Sequence, residues 1–413
     1  MQTTQHAEVV IIGAGPAGAI AAALLRKQGR QVLVLERETF PRFSIGESLL
    51  PQSMAYIEEA GLLQDVVEAG FQYKNGAVFA RGLEATTFFD FRDKWSKGWG
   101  TTYQVQRGTF DKVLADGAAH AGAEIRYQQT VLAADVESDT PSLRVKDNAS
   151  GDEYTVNCRF VLDASGFGRV LPRLLDLETP SGFPVRGAIF THVEDRIPVN
   201  SGFDRNKILI TTHPEHEDVW YWTIPFSNGH CSLGVVAESS FLARYEGADM
   251  ARLQAVVAEA PNLKTLLADA QWHIPARQIT GYAANVKSLY GKHFALLGNA
   301  GEFLDPVFSS GVTIAMTSAS LAAKALGRTL DGEAVDWNAD YAVPLKRGVD
   351  AFRAFVTAWY DGRFQKLIYY KGKNDDIRRM ISSILAGYAW DETNPCVRAP
   401  TRWLAALDSA VSM

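Results

Sequence analysis

Residues 9–36 constrain the fold more tightly than any other part of the chain. Val9, Val10, Ile11 and Ile12 form a β-branched run, as expected of a strand buried on both faces of a parallel sheet. Gly13-Ala14-Gly15-Pro16-Ala17-Gly18 follows at G-x-G-x-x-G spacing, residues 19–27 are rich in Ala and Leu, and Gly29 stops that helix. Residues 31–35 make a second strand, closed by Glu36. The glycines have separate tasks: a tight turn, close approach of the backbone to a pyrophosphate, and close packing of helix on strand. The helix N-terminus adds N–H groups and partial positive charge. Glu36 is spaced to hold ribose hydroxyls, and an acid there disfavours a 2′-phosphate. Together these features predict a dinucleotide site, with Gly13, Gly15, Ala17, Gly18, Glu36 and Arg37 around the ligand.

The same segment holds a 17-residue uncharged run, residues 9–25. As a helix it would reach only ~25 Å, short of a ~30 Å hydrocarbon core. Gly and Pro interrupt it, and residues 1–8 lack the Lys or Arg of a leader peptide. No membrane span is therefore expected, and the protein reads as cytoplasmic. With 47% apolar and 21% charged residues the chain has material for a large core, which excludes disorder. The net charge, 41 − 47 = −6, argues against broad nucleic-acid binding. Cys158, Cys231 and Cys396 lie far apart and form no C-x-x-C, and the His213/His216 pair reads as a loop around Pro214, so no metal site is expected.

Beyond Glu36, residues 40–51 read as a loop running into a helix. Residues 128–136, 142–145 and 154–161 read as short strands, a β-meander inserted into the α/β domain. Residues 186–193, 207–212, 219–224 and 230–237 read as an antiparallel series suited to a substrate domain. Residues 311–330 form a helix with small residues on its face, and residues 341–413 are mostly helical and rich in aromatics. The expected fold is mixed α/β: a Rossmann-like cofactor domain from residues 1–72, 100–180 and 275–345, a substrate domain from 73–99 and 181–274, and a C-terminal helical segment from 346–413. Only one complete glycine fingerprint is visible, since Gly166-Phe167-Gly168 lacks the third glycine; this points to one resident dinucleotide, read as FAD.

Six further segments carry chemistry. In residues 41–48, Arg42 can neutralise phosphate, Gly46 permits unusual backbone angles, and Glu47 and Ser48 can meet a flavin edge. Arg107 is a candidate partner for cofactor oxygens, with Asp111 in the same helical turn; Asp163 closes a strand ahead of a Gly turn. Asn299, then Pro306, Gly311 and Val312, form a strand–loop–helix edge able to meet carbonyls and anions. Trp220-Tyr221-Trp222-Thr223-Ile224-Pro225 places Trp220, Trp222 and Ile224 on one face of a strand, either as plain core or as a wall between two chambers. Lys74, flanked by aromatics, is a candidate buried lysine, whose pKa shifts readily.

Taken together, Gly46-Glu47-Ser48, the W-x-W-x-I-P pattern at Trp220 to Pro225, the F-x-x-P-x-x-S-x-G pattern from Phe303 to Gly311, and Lys74 in a K-x-G-A-x-F context resemble the flavin-dependent halogenases, of the phenol and pyrrole type. These belong to the FAD monooxygenases of the para-hydroxybenzoate hydroxylase fold. The resemblance implies that reduced FAD, supplied by a partner flavin reductase, reacts with O2 to give a flavin hydroperoxide. Chloride or bromide, held near Ser309, Ser310 and Gly311, is oxidised to hypohalous acid. Lys74 relays this oxidant beyond the wall of Trp220 and Trp222 to a phenolic or pyrrolic arene, free or on an acyl carrier protein. Phe308 stands where tryptophan halogenases carry Glu, which disfavours free indole, and Asn299 replaces the Asp of related hydroxylases. The alternative keeps the fold and changes the reaction: a hydroxylase, or a dehydrogenase or reductase of a polyene or lipid-like substrate.

Overall fold

The computed structural model describes residues 4–83, 85–370, 372 and 374–411. A parallel sheet carries five strands in the order Phe294–Leu296, Phe160–Asp163, Val9–Ile12, Val32–Leu35, Glu124–Arg126. Side chains alternate across it, as strand geometry requires. Val9 and Ile11 point to the helical side, where Pro16–Lys27 packs beside Gly311–Leu330, while Val10 and Ile12 join Val131, Leu143, Val145 and Val156 of the meander. Both faces are thereby covered, and the run of four β-branched residues is fully buried.

The meander departs from expectation in one respect. The single strand read at residues 154–161 is two: Glu153–Asn157 belongs to the meander and Phe160–Asp163 to the parallel sheet. Cys158 and Arg159 carry the chain from one layer to the other, which one continuous strand could not do. Thr4–His6 also joins the meander, pairing in parallel with Glu153–Asn157.

The second sheet has seven strands, in the order Arg277–Thr280, Arg186–Glu194, His230–Glu238, Trp220–Pro225, Lys207–Thr212, Gly76–Arg81, Ala85–Asp90. The expected antiparallel series is present, but Arg186–Glu194 lies beside His230–Glu238 rather than beside the strand that follows it. Gly76–Arg81 pairs in parallel with Lys207–Thr212, so the sheet is mixed. A parallel pair needs a long crossover, and here the connection passes through the cofactor-binding half of the chain. On one face, Ala77, Phe79, Ile208, Ile210, Trp220, Trp222 and Ile224 join the core shared with the parallel sheet. On the other, Leu209, Tyr221, Leu233 and Val235 are covered by Asp249–Ala258 and Pro261–Leu266.

The C-terminal helices complete that shared core. Phe352, Phe355, Trp359 and Phe364 are buried in it, and the Trp359 ring packs 5.8 Å from Phe79 and 6.0 Å from Phe308. Among the described residues, no helix is long and apolar enough to cross a membrane.

Candidate active site

A cavity of about 620 Å³ lies between the two sheets, where the C-terminal ends of the parallel strands face the Trp strand. The Gly13 turn forms its first wall. Gly13 adopts φ +96°, donates to the Leu35 carbonyl at 2.8 Å, and turns the chain into the helix. A Cβ on Gly18 would lie 1.9 Å from the Gly13 carbonyl oxygen, so helix and turn are in direct backbone contact. The Glu36 carboxylate accepts from the Ala14 amide at 2.8 Å and from the Glu38 amide at 2.9 Å. These bonds lock its orientation at the end of the second strand and leave lone pairs toward the cavity. Glu36→Gln puts an amide NH2 against one of those two donors; weaker FAD binding by about tenfold is expected, readable by titrating apoprotein with FAD.

The loop of residues 41–48 is pinned by charge. Asp111, wholly buried, accepts two bonds from Arg107 (2.6 and 2.9 Å) and one from Arg42 at 3.0 Å. Two guanidiniums on one carboxylate leave a net positive charge, and Arg42 reaches to 3.3 Å of the point a Gly15 Cβ would occupy. Arg107 also donates to the Ile45 carbonyl. The helical pair Arg107/Asp111 is thus a buried anchor that presents cations at the phosphate turn.

The opposite wall comes from the Trp strand. Trp222 sits across from Gly234, and a Cβ there would lie 2.3 Å from the indole. Only glycine lets the ring lie flat on the neighbouring backbone, where Nε1 donates to Ser232 at 3.0 Å. Trp220 packs on Trp222 with ring centres 6.0 Å apart. At the far end, Asp305 caps a short turn by accepting from the Val307 amide at 3.0 Å, and Ser309 takes a left-handed conformation (φ +54°) that leads into the helix Gly311–Leu330. Gly311 and Val312, in the first turn of that helix, line the cavity, and the amides of a first turn have no intrahelical acceptor.

Gly13, Gly15, Ala17, Glu36, Arg37, Arg42, Glu47, Ser48, Arg107, Asn299, Pro306, Ser309, Gly311, Val312, Trp220 and Trp222 all line this one cavity. Four expected site residues do not. Gly18 is consumed in helix packing. Asp163 turns inward, accepting from the Ser165 and Leu171 amides at 2.9 and 2.6 Å, and so builds the Gly166 turn. Ser310 is buried at the helix start. Lys74 lies behind Ser48: fully buried, its Nζ donates to Ser48 Oγ and to the Leu49 carbonyl, both at 2.7 Å. It sits 5.4 Å over the Phe91 ring. Burial alone pulls its ammonium down to about 7. One hydroxyl, Ser48, separates this amine from the cavity.

Sequence reasoning missed His192, whose Nε2 meets Glu47 Oε1 at 2.8 Å. It also missed Gln129, Thr130 and Val131, which the meander brings to the cavity. Neither set has a local signal, because both depend on where a strand is docked. A second cavity, about 980 Å³, adjoins the first and shares Phe43, Ser44, Ile45, Phe167 and Arg173 with it. Phe190, Ile279, Tyr282 and Arg277 line its remainder.

The first cavity fits a flavin dinucleotide: a glycine turn under a helix N-terminus, two arginines for phosphate, a carboxylate for ribose, and a wide end closed by indoles and helix amides. Comparison with known proteins agrees. Residues 6–344 match the FAD binding domain family. The chain is 30% identical to the flavin-dependent halogenase gsfI of Penicillium aethiopicum, over 87% of this chain and 72% of that one. It is 28% identical to the 1H-pyrrole-2-carbonyl-[peptidyl-carrier protein] chlorinase of Pseudomonas fluorescens, over 86% and 83% respectively. Among solved structures, a flavoprotein/dehydrogenase from Cytophaga hutchinsonii superimposes with a TM-score of 0.95 at 42% identity, over 99% of each chain.

Proposed function

The chain belongs to the FAD binding domain family, within its flavin-dependent halogenase group, and on that premise we propose that it halogenates an electron-rich phenolic or pyrrolic arene with Lys74 as the catalytic group. One observation carries the proposal: a fully buried amine with no carboxylate partner among the described residues, one hydroxyl away from the cofactor cavity.

Glu36 would hold the ribose of FAD, the Gly13–Ala17 turn with Arg42 and Arg107 would hold its pyrophosphate, and Ser48, Asn299 and residues 306–312 would face its ring system. Bound reduced FAD supplies O2 activation and the oxidation of chloride or bromide to hypohalous acid. Ser309 and Gly311 hold the halide at the helix start, with Ser310 behind them. Trp220 and Trp222 keep arene and water from the cofactor. In the halogenation itself the arene gives up a proton and gains the halogen, and the hydroxide of the hypohalous acid leaves as water. Lys74 serves this last event. At neutral pH its amine and ammonium forms are both populated, so it can hold the oxidant and give a proton to the leaving oxygen. A single dinucleotide fingerprint fits reduction by a separate flavin reductase. The arene is free or carrier-bound, as the name of the Pseudomonas relative has it for that protein.

The test is anaerobic. Chemically reduced holoenzyme is mixed with oxygenated buffer, bromide or chloride, and a phenol, and products are read by mass spectrometry. Halogenated phenol, formed only with halide and O2, supports the proposal; reoxidation indifferent to halide overturns it. A second reading is favoured by the 42% identical flavoprotein/dehydrogenase. It is a dehydrogenase or reductase of a polyene or lipid-like substrate. Its mark in the same experiment is flavin reduction or reoxidation driven by such a substrate without halide.

A further inference from the structure

A buried polar chain runs from the C-terminal helix to the indole wall. Trp220 Nε1 donates to the Tyr360 hydroxyl at 2.9 Å, and that hydroxyl donates to Asp305 Oδ2 at 2.9 Å. Asp305 is 4% exposed, and its other oxygen accepts the Val307 amide at the turn that carries Pro306 to the cavity. The Arg186 guanidinium lies 3.5 Å from the centre of the Tyr360 ring and stacks it in place. Burial pushes the Asp305 carboxyl up to about 6, against the pull of the Val307 amide, the Tyr360 hydroxyl and Arg186.

A phenol hydroxyl has one proton to give. Because Asp305 takes that proton, the lone pairs of Tyr360 are turned to the indole N–H, and Trp220 is held at one angle. An indole packed only by shape would keep the bulk of the wall but not that angle. The helix ending at Tyr360, the loop at Asp305 and the Trp strand are far apart in sequence, so no local constraint forces this alignment.

We propose that Tyr360 and Asp305 are positioning residues for Trp220, orienting the indole in the wall of the cofactor cavity so that the oxidant is delivered instead of leaking to water. The role in delivery rests on the halogenation reading; the orientation of the indole does not.

The test uses holoenzyme carrying Tyr360→Phe, which removes one oxygen and keeps the ring under Arg186. Time-resolved fluorescence of bound FAD reads the indole directly, because Trp220 lines the cofactor cavity and an indole beside a flavin quenches it. The wild type is expected to show one short main lifetime and Tyr360→Phe an added longer one, with the displaced population raised about fivefold, the shift expected of one lost neutral hydrogen bond. Asp305→Ala, which removes the acceptor, should reproduce this. In turnover, the share of oxidant caught by a bulk scavenger such as monochlorodimedone, relative to halogenated arene, should rise by a similar factor in Tyr360→Phe. Decays unchanged in both Tyr360→Phe and Asp305→Ala overturn the proposal. A wild type that halogenates nothing overturns the halogenation reading and leaves the lifetime comparison to decide the positioning claim.

Discussion

Lys74→Met is expected to abolish halogenation, by a factor of ~10²–10⁴, the range for losing a positioned proton donor, while the protein still binds FAD. The contrast matters more than the loss. Lys74 does not line the cofactor cavity, so its removal should leave flavin content and reoxidation by O2 close to wild type. Product yield per flavin reoxidised, measured by mass spectrometry against the flavin absorbance trace, separates delivery of the oxidant from its formation. Unchanged yield would remove Lys74 from the mechanism. So would a proportional loss of bound FAD, since it would make the residue a support for the Ser48 loop.

The same substitution carries a pH signature. Lowering the amine from its ordinary value of 10.5 to about 7 means that folding a fully protonated Lys74 costs about 5 kcal/mol. Between pH 7 and 10.5 the unfolded chain binds this proton more tightly than the folded one, so stability rises with pH across that window and is flat below it. Lys74→Met lacks the group. Its stability relative to wild type is therefore highest at or below pH 7 and declines by ~1.4 kcal/mol per pH unit above it. The Leu49 carbonyl left without its donor offsets the difference by ~1–3 kcal/mol at every pH, which shifts the curve without changing its slope. Urea melts of both proteins at pH 7, 8 and 9 test this, and a pH-independent difference would contradict a depressed amine.

Gly18→Ala should give a protein that does not retain FAD. The added Cβ meets the Gly13 carbonyl oxygen at 1.9 Å and Ala164 Cβ at 3.4 Å, and neither contact is with a flexible side-chain end. The helix must move off the strand, which carries its first amides away from the pyrophosphate. Overpacking of this kind costs ~1–3 kcal/mol or more in stability, and affinity for FAD should fall at least ~100-fold as several phosphate contacts go together. The absorbance ratio at 450 and 280 nm of the purified variant, with apoprotein titration, reads the effect. A fully loaded yellow protein would show that the glycine fingerprint is not the dinucleotide seat.

Much of this site was legible because its parts are local. The turn at Gly13, the position of Glu36, the helix over residues 311–330 and the alternation that puts Trp220 and Trp222 on one face are set by neighbours within a few residues. Periodicity also located the buried strands. It failed at residues 154–161, because an apolar run carries no mark of the point where it changes layer. Nor does helical spacing show that Arg107 and Asp111 are buried, since it brings the two together on an exposed or a buried face alike.

Short stretches of sequence therefore suffice for the glycine turn, the paired indoles on one strand face and a candidate lysine, since each rests on backbone geometry or residue chemistry among near neighbours. Only the tertiary structure decided what burial and long-range contact confer. Strand pairing brings Lys74 against Ser48 and withdraws it from water, and that withdrawal, not the residue type, sets its proton affinity. Packing of the C-terminal helix likewise brings Tyr360 between Trp220 and Asp305, residues separated by 140 and 55 positions from it. Desolvation and hydrogen-bond direction are properties of an assembled interior, and no local pattern encodes them.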